Sequence, residues 1–259
     1  MSEFVCLMIP LLGTSLGAAM AFFLKEQICG KLEKALLGFA AGVMVAASVW
    51  SLLIPSINMS RAQGDKIVWL AATLGLFGGI GFLLILDYVI PQLNISGSTE
   101  SEKPSGLSKT AMLILAVTIH NVPEGMAVGV AYAGAAAENA GISEMAAIAI
   151  SIGIAIQNFP EGAIVSMPLI GKGMKKSRAF LLGAASGVVE PLAGFITVLF
   201  AAQMTPVLPF LLAFAAGAMI YVVVEELVPE AHTGKAAKAG TVSFALGFAL
   251  MMILDVALS

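Results

Sequence analysis

Two hexapeptides hold the side chains of this sequence best suited to chemistry: His120-Asn121-Val122-Pro123-Glu124-Gly125 and, 37 residues later, Gln157-Asn158-Phe159-Pro160-Glu161-Gly162. Both lie inside long apolar segments, where an ionisable side chain costs about 2.5–3.5 kcal/mol to insert and is functional by default. On a helix, residues i and i+4 share a face, so His120 stands over Glu124 and Gln157 over Glu161, with Asn121 and Asn158 turned roughly 100° aside. Two such helices laid together enclose imidazole, carboxylate and amide ligands. The prolines add backbone oxygens, because Pro123 and Pro160 have no N–H to offer the carbonyls of Ile119 and Ile156. Two buried carboxylates repel unless a cation or protons sit between them. The chemistry implied is metal binding at the level of a membrane interior.

The elements that position these groups follow from composition. The chain of 259 residues is 59% hydrophobic and only 11% charged, with a mean hydropathy of +0.98, which excludes an ordinary soluble domain. Apolar runs of membrane length predict eight helical spans near 4–24, 35–57, 67–90, 110–133, 144–168, 179–202, 207–229 and 240–258. The fold expected is an all-α integral membrane protein, one transmembrane domain over 1–259. The first span lacks a small-residue cleavage pattern and reads as a retained helix. The stretch 92–108, rich in Ser, Gly, Glu and Lys, reads as a connector.

Charge sets the expected orientation. Eleven of the 13 Lys and Arg residues fall in connections after spans one, three, five and seven, and only Arg61 and Lys66 follow span two. That asymmetry places the first set in the cytoplasm and both termini outside, in a multi-pass protein of the cell (inner) membrane. The net charge of −3 gives no support to a nucleic-acid partner. Cys6 and Cys29 are expected on opposite membrane faces, so no disulfide framework is expected.

The sequence also repeats itself. Leu36–Leu52 and Leu211–Leu227 agree at about half of their 17 positions. Spans three and eight both close on Ile-Leu-Asp, at 85–87 and 253–255, and spans one and six share Leu-Leu-Gly at 11–13 and 181–183. Spans one to three thus resemble spans six to eight. Equivalent spans lie five apart, an odd number, so the second triplet crosses in the opposite sense. The expected arrangement is 3+2+3, with spans four and five a nested inverted pair, an organisation found in secondary transporters.

With the paired motifs in the fourth and fifth of eight spans, the chain resembles the ZIP (Zrt- and Irt-like) family of divalent metal transporters, and Gln157 in place of a second histidine resembles its bacterial GufA-like branch. The resemblance covers essentially the whole chain. It implies a binuclear site, with His120, Glu124, Gln157 and Glu161 on one metal. Asn121, Asn158 and bridging Glu124 and Glu161 would hold a second, joined by Glu190 of span six. Met44 resembles a thioether ligand of some relatives, and an elevator-like motion is implied. The connector after span three carries none of the histidines frequent there in the family.

Imidazole, carboxylate and amide oxygen suit Zn²⁺ and also admit Cd²⁺, Fe²⁺, Mn²⁺ or Co²⁺. The metal is cargo, and no prosthetic group is expected. The partners expected are divalent metal ions and the lipid bilayer, with a homodimer as a candidate assembly. Glu225, Glu226, Glu230 and His232 at the end of span seven read equally as an exit station or a solvated helix end, and Asp65, Glu138 and Glu144 as an outer acidic rim. The alternatives are an intramembrane metal-dependent enzyme and a metal-clamped sensor. The absence of HExxH weighs against the first, and the inverted repeat against both.

Overall fold

A computed structural model describes residues 3–23, 30–92, 106–136, 143–171, 173–201, 205–234 and 236–258. The expected connector at 92–108 lies almost wholly outside these, as do Cys29 and Glu138. The regular elements among the described residues are helices, and these fall into eight columns. The first is α1 (Glu3–Ala18) with the short α2 (Met20–Phe23); the second is α3 (Gly30–Ala47), a π-helical turn (Ser48–Leu53) and α4 (Ile54–Ala62). The third is α5 (Val68–Gln92), the fourth α6 (Gly106–Ala136), the fifth α7 (Glu144–Gly171), and the sixth α8 (Lys176–Ser186) followed by α9 (Val189–Ala201). The seventh is α10 (Leu208–Val222), a second π-helical turn (Val223–Leu227) and α11 (Val228–Ala231), and the eighth α12 (Ala237–Leu258).

Among the described residues, seven helical segments are long and apolar enough to cross a bilayer: Val5–Phe23, Gly30–Ala62, Val68–Leu86, Glu144–Met167, Lys176–Phe200, Leu208–Ala231 and Ala237–Ala257. The remaining expected span falls on the 31-residue α6. The columns are built inside out relative to a soluble bundle. Alanines such as Ala40, Ala41, Ala127 and Ala215 fill the interior, while Phe77, Leu84, Leu181, Phe195, Leu246 and Val256 stand outward. Apolar surface on this scale needs a cover, and a bilayer supplies it.

The columns pair through their backbones. Column one packs on column five, six on four, two on eight and seven on three. A side chain on Gly42 would strike the carbonyl of Phe244, and one on Gly247 that of Phe39. In the other pair, Gly217 meets the carbonyl of Leu76 and Gly79 that of Phe214. These four contacts are equivalents under the sequence repeat, which maps Phe39 and Gly42 onto Phe214 and Gly217 and, through the Ile-Leu-Asp alignment, Leu76 and Gly79 onto Phe244 and Gly247. Lipid tails are as apolar as leucine, so helix association here depends on close contact between small residues.

The two π-helical turns also occupy repeat-equivalent places. Each precedes a helix with proline in its first turn, Pro55 in α4 and Pro229 in α11. The missing N–H removes an α-helical bond, and the wider turn absorbs the mismatch. One part of the repeat needs correction. Gly162 of the second hexapeptide lies against the carbonyl of Thr14, whereas Gly125 of the first lies against that of Glu190. Columns one and six are therefore equivalent with Thr14 matched to Glu190, six residues away from the Leu-Leu-Gly alignment. That short match of common apolar residues is coincidental.

Gly42→Ala should lower the unfolding free energy in detergent by about 1–3 kcal/mol, since the new methyl cannot clear the facing carbonyl. Gly81→Ala, with open space around its Cβ position, should be neutral or stabilising by about 1 kcal/mol. Thermal or denaturant unfolding of the two purified variants checks the contrast.

Candidate metal centre

The two hexapeptides lie on α6 and α7, packed against each other in the middle of the molecule. Asn121, Glu124, Gln157 and Asn158 are fully buried, as are Glu190 on α9 and Thr14 on α1. Gln157 Nε2 donates to Glu124 Oε1 at 2.8 Å, which joins the two motif helices. Asn121 Nδ2 donates to Glu190 Oε1 at 3.0 Å and to the Ser186 carbonyl at 3.1 Å, joining column four to column six. Thr14 Oγ1 donates to the same Glu190 oxygen at 2.7 Å. Asn158 lies within electrostatic reach of both Glu124 and Glu190, and Glu124 within reach of Glu161.

Glu190 reaches this network because column six is broken. The chain leaves α8 at Ser186, turns through Gly187 and Val188, and restarts at Val189. Pro191 lacks the N–H that would continue a helix through Gly187, whose carbonyl instead accepts from Glu190 N at 3.0 Å. A Cβ on Gly187 would sit 2.8 Å from the Thr14 Cβ and 2.9 Å from Glu190 Oε1, so only glycine leaves room for the carboxylate.

The polar atoms left over define the chemistry. Asn121 and Gln157 use their amide N–H groups on protein acceptors, and Asn121 Oδ1 and Gln157 Oε1 have no partner. Glu124 Oε2, Glu190 Oε2 and both polar atoms of Asn158 are also buried without a hydrogen bond. A buried polar atom left in this way costs about 1–3 kcal/mol, and such a group of atoms calls for an explanation. Five of the six are oxygens that can only accept once the carboxylates are ionised. Asn158 Nδ2 is the one donor left among them; the rest are acceptors, and a set dominated by oxygen acceptors is the lining a cation requires.

The predicted ligands are not all assembled. Glu161 is nine-tenths buried, one turn along α7 from Gln157, and opens onto a cavity of about 400 Å³ that also touches Val117, Glu225, Glu226, Glu230 and Thr233. Met44 is buried among apolar core residues. His120 belongs to α6, and its side chain lies outside the described residues. Among the described residues no group of three His, Cys, Asp or Glu side chains is placed to hold a metal. Any ion here would lean on the amide oxygens of Asn121, Gln157 and Asn158. His232 lines no part of the cavity; its ring nitrogens are engaged with the Val228 carbonyl at 3.0 Å and Thr241 Oγ1 at 3.1 Å. Lys34, also buried, is ion-paired with Glu230 beside the cavity.

A second cavity of about 300 Å³ opens at the other end, lined by Trp50, Ser51, Pro55, Asn58, Ser143 and Asp255, with Ser51 Oγ donating to Asp255 Oδ2 at 2.7 Å. Trp50, Ser51, Pro55 and Asn58 are the repeat equivalents of Glu225, Glu226, Glu230 and Thr233. The two cavities are thus the same place in the two halves. Sequence reasoning used Asp255 only as a repeat marker and passed over Thr14 and Ser186; a buried carboxylate at the end of an apolar span was the signal available for Asp255.

The family model for the ZIP zinc transporters matches residues 95–255. The chain is 36% identical to the human protein named zinc transporter ZIP11, over 95% of this chain and 94% of that protein. It is also 36% identical to zinc transporter ZIPB of Bordetella bronchiseptica, over 95% and 77% of the two chains. With zinc transporter GufA of Myxococcus xanthus it shares 32% identity over 96% of each.

Thr14→Val keeps the volume and removes the donor to Glu190, so it should cost about 1.5–3 kcal/mol of stability. Thermal unfolding of the metal-free protein, with Thr14→Ser as the donor-retaining control, measures it.

Proposed function

Because this chain belongs to the ZIP family of zinc transporters, we propose that it moves a divalent transition metal, Zn²⁺ first, across the cell membrane into the cytoplasm by alternating access. The observation that carries this reading is the group of buried, unpartnered oxygens on α6, α7 and α9. Such a group in an apolar bundle calls for an ion, protons or water to satisfy it, and a set made almost wholly of acceptors favours the ion. In this reading α6 completes eight spans in a 3+2+3 arrangement. His120, Glu124, Gln157 and Glu161 bind one metal. Asn121, Asn158 and Glu190 share Glu124 and Glu161 with a second, and Met44 approaches from column two.

The mirrored pairing of columns and the mirrored cavities support alternating access, since two related halves can exchange roles at a fixed site. The bundle of columns one, four, five and six carries the proposed ligands other than Met44, and the bundle of two, three, seven and eight braces it. An opening toward the lysine-rich end is supported by the 400 Å³ cavity, which reaches Glu161, while the opposite cavity stops at Ser51, Ile150 and Asp255. Taking that end as cytoplasmic, this is an inward-open state. Cd²⁺, Fe²⁺, Mn²⁺ and Co²⁺ fit the same donors, and protonation of the carboxylates or His120 competes with the metal, because ligands bind deprotonated.

Entry of Zn²⁺ and Cd²⁺ into proteoliposomes, read with an internal metal dye, should be saturable for the natural protein and abolished by Glu161→Ala, with the variant still folded and inserted. Flux at the natural rate in that variant would remove the reading. Gln157→His should change the ratio of Zn²⁺ to Cd²⁺ entry more than the total, and an unaltered ratio would show that position 157 does not touch the ion.

A further inference from the structure

A groove of about 600 Å³ runs between the first turns of α3 and α12 and shares no lining residue with the cavity at Glu161. Lys31 and Lys238 stand on its two sides, and Leu32, Ala35, Ala239 and Val242 form most of its floor. Both lysines are exposed, and among the described residues neither has an ion-pair partner. Two carboxylates among the described residues lie close in sequence or space without changing this. Glu230 is taken by Lys34, and Glu33, two positions from Lys31, points roughly 200° around the helix from it. The floor continues into the outward face of α12, where Val242, Leu246 and Ile253 are each about 60% exposed. The groove therefore joins two ammonium groups, unpaired among the described residues, to an apolar trough that runs along the outward face of α12.

We propose that this groove binds one anionic phospholipid, its phosphate between Lys31 and Lys238 and an acyl chain along Val242 and Leu246. Charge complementarity selects the headgroup: basic pockets between spanning helices are suited to acidic lipids, and each lysine near the surface contributes about 1 kcal/mol. The trough selects a lipid over a soluble anion, since a free phosphate gains nothing from Leu32 or Val242. The internal repeat separates this role from the requirements of the fold. At the opposite end the equivalents of Lys31 and Lys238 are Pro206 and Leu70, so the same helix pairing forms without either charge. The bound lipid ties columns two and eight together at their starts, just beyond the contact of Gly38 with the Gly240 carbonyl. The proposal rests on the membrane-spanning reading and not on metal transport.

The test is native mass spectrometry of the purified full-length protein titrated with phosphatidylglycerol or phosphatidylcholine. The natural protein should bind one phosphatidylglycerol selectively. Lys31→Gln with Lys238→Gln should weaken that binding roughly thirtyfold and leave phosphatidylcholine unchanged. Val242→Trp, which fills the trough and keeps both charges, should weaken phosphatidylglycerol as well, while Arg178→Gln, at the start of α8, should not. Three results would overturn the proposal: unchanged phosphatidylglycerol affinity in the double variant, equal affinity of the natural protein for phosphatidylcholine, or displacement of the lipid by millimolar inorganic phosphate. Gel filtration and circular dichroism establish that each variant is folded.

Discussion

A carboxylate in the middle of an apolar bundle must be met by donors or by a cation, and most of this architecture follows from how Glu124 and Glu190 are met. Each accepts on one oxygen, Glu124 from Gln157 and Glu190 from Asn121 and Thr14, while the other oxygen is left bare. The donors come from three different columns. To reach one another they require backbones closer than ordinary side chains permit, which accounts for Gly125 against the Glu190 carbonyl, Gly162 against that of Thr14, and Gly187 beside the Glu190 carboxylate. The break in column six serves the same end, since a continuous helix would have no turn at Gly187 to deliver Glu190. Glycine placement and helix breakage are thus consequences of holding charge at depth.

The parts legible in the sequence were those with strong local signals. Buried polar residues spaced i to i+4 in apolar runs named Glu124, Gln157 and Glu161, and about half-identical stretches of 17 residues exposed the relation between columns two and seven. The parts that were not legible lack such contrast. A lone threonine in an apolar helix reads as neutral, so Thr14 carried no sign that it would cap a carboxylate 176 residues away. Gly187-Val188-Val189 reads as an unbroken apolar run, which hid the break. Leu-Leu-Gly misled for the same reason. Similarity among common membrane residues is cheap, and only the contacts of Gly125 and Gly162 fixed the register.

The internal symmetry is kept by backbone contacts and broken by side chains. Close approaches at Gly42 and Gly247 match those at Gly217 and Gly79, so two helix pairs have the same geometry in opposite directions. Matched halves would give the proposed alternating access two arrangements related by exchange of roles, as a bistable device needs. The alternating access proposed here requires in addition that the ends differ. Where one cavity presents Trp50, Ser51 and Pro55, its counterpart presents Glu225, Glu226 and Glu230, at the same backbone positions.

That difference orders the route proposed for a metal ion. Glu124 is fully buried, Glu161 is 9% exposed, and the side chain of Glu230 is 55% exposed. Coulomb attraction weakens as the effective dielectric rises, about fourfold between a near-surface pair and one in bulk water at equal distance. An ion passing along these three carboxylates is therefore held less firmly at each, while water replaces the amide oxygens it leaves. Lys34 adds to this at the last position, because its ammonium already neutralises Glu230 and must be displaced before a cation can use that carboxylate fully. A chain of equally strong sites would trap the ion; on the proposed route, burial that falls from Glu124 to Glu161 and Glu230 would let it go.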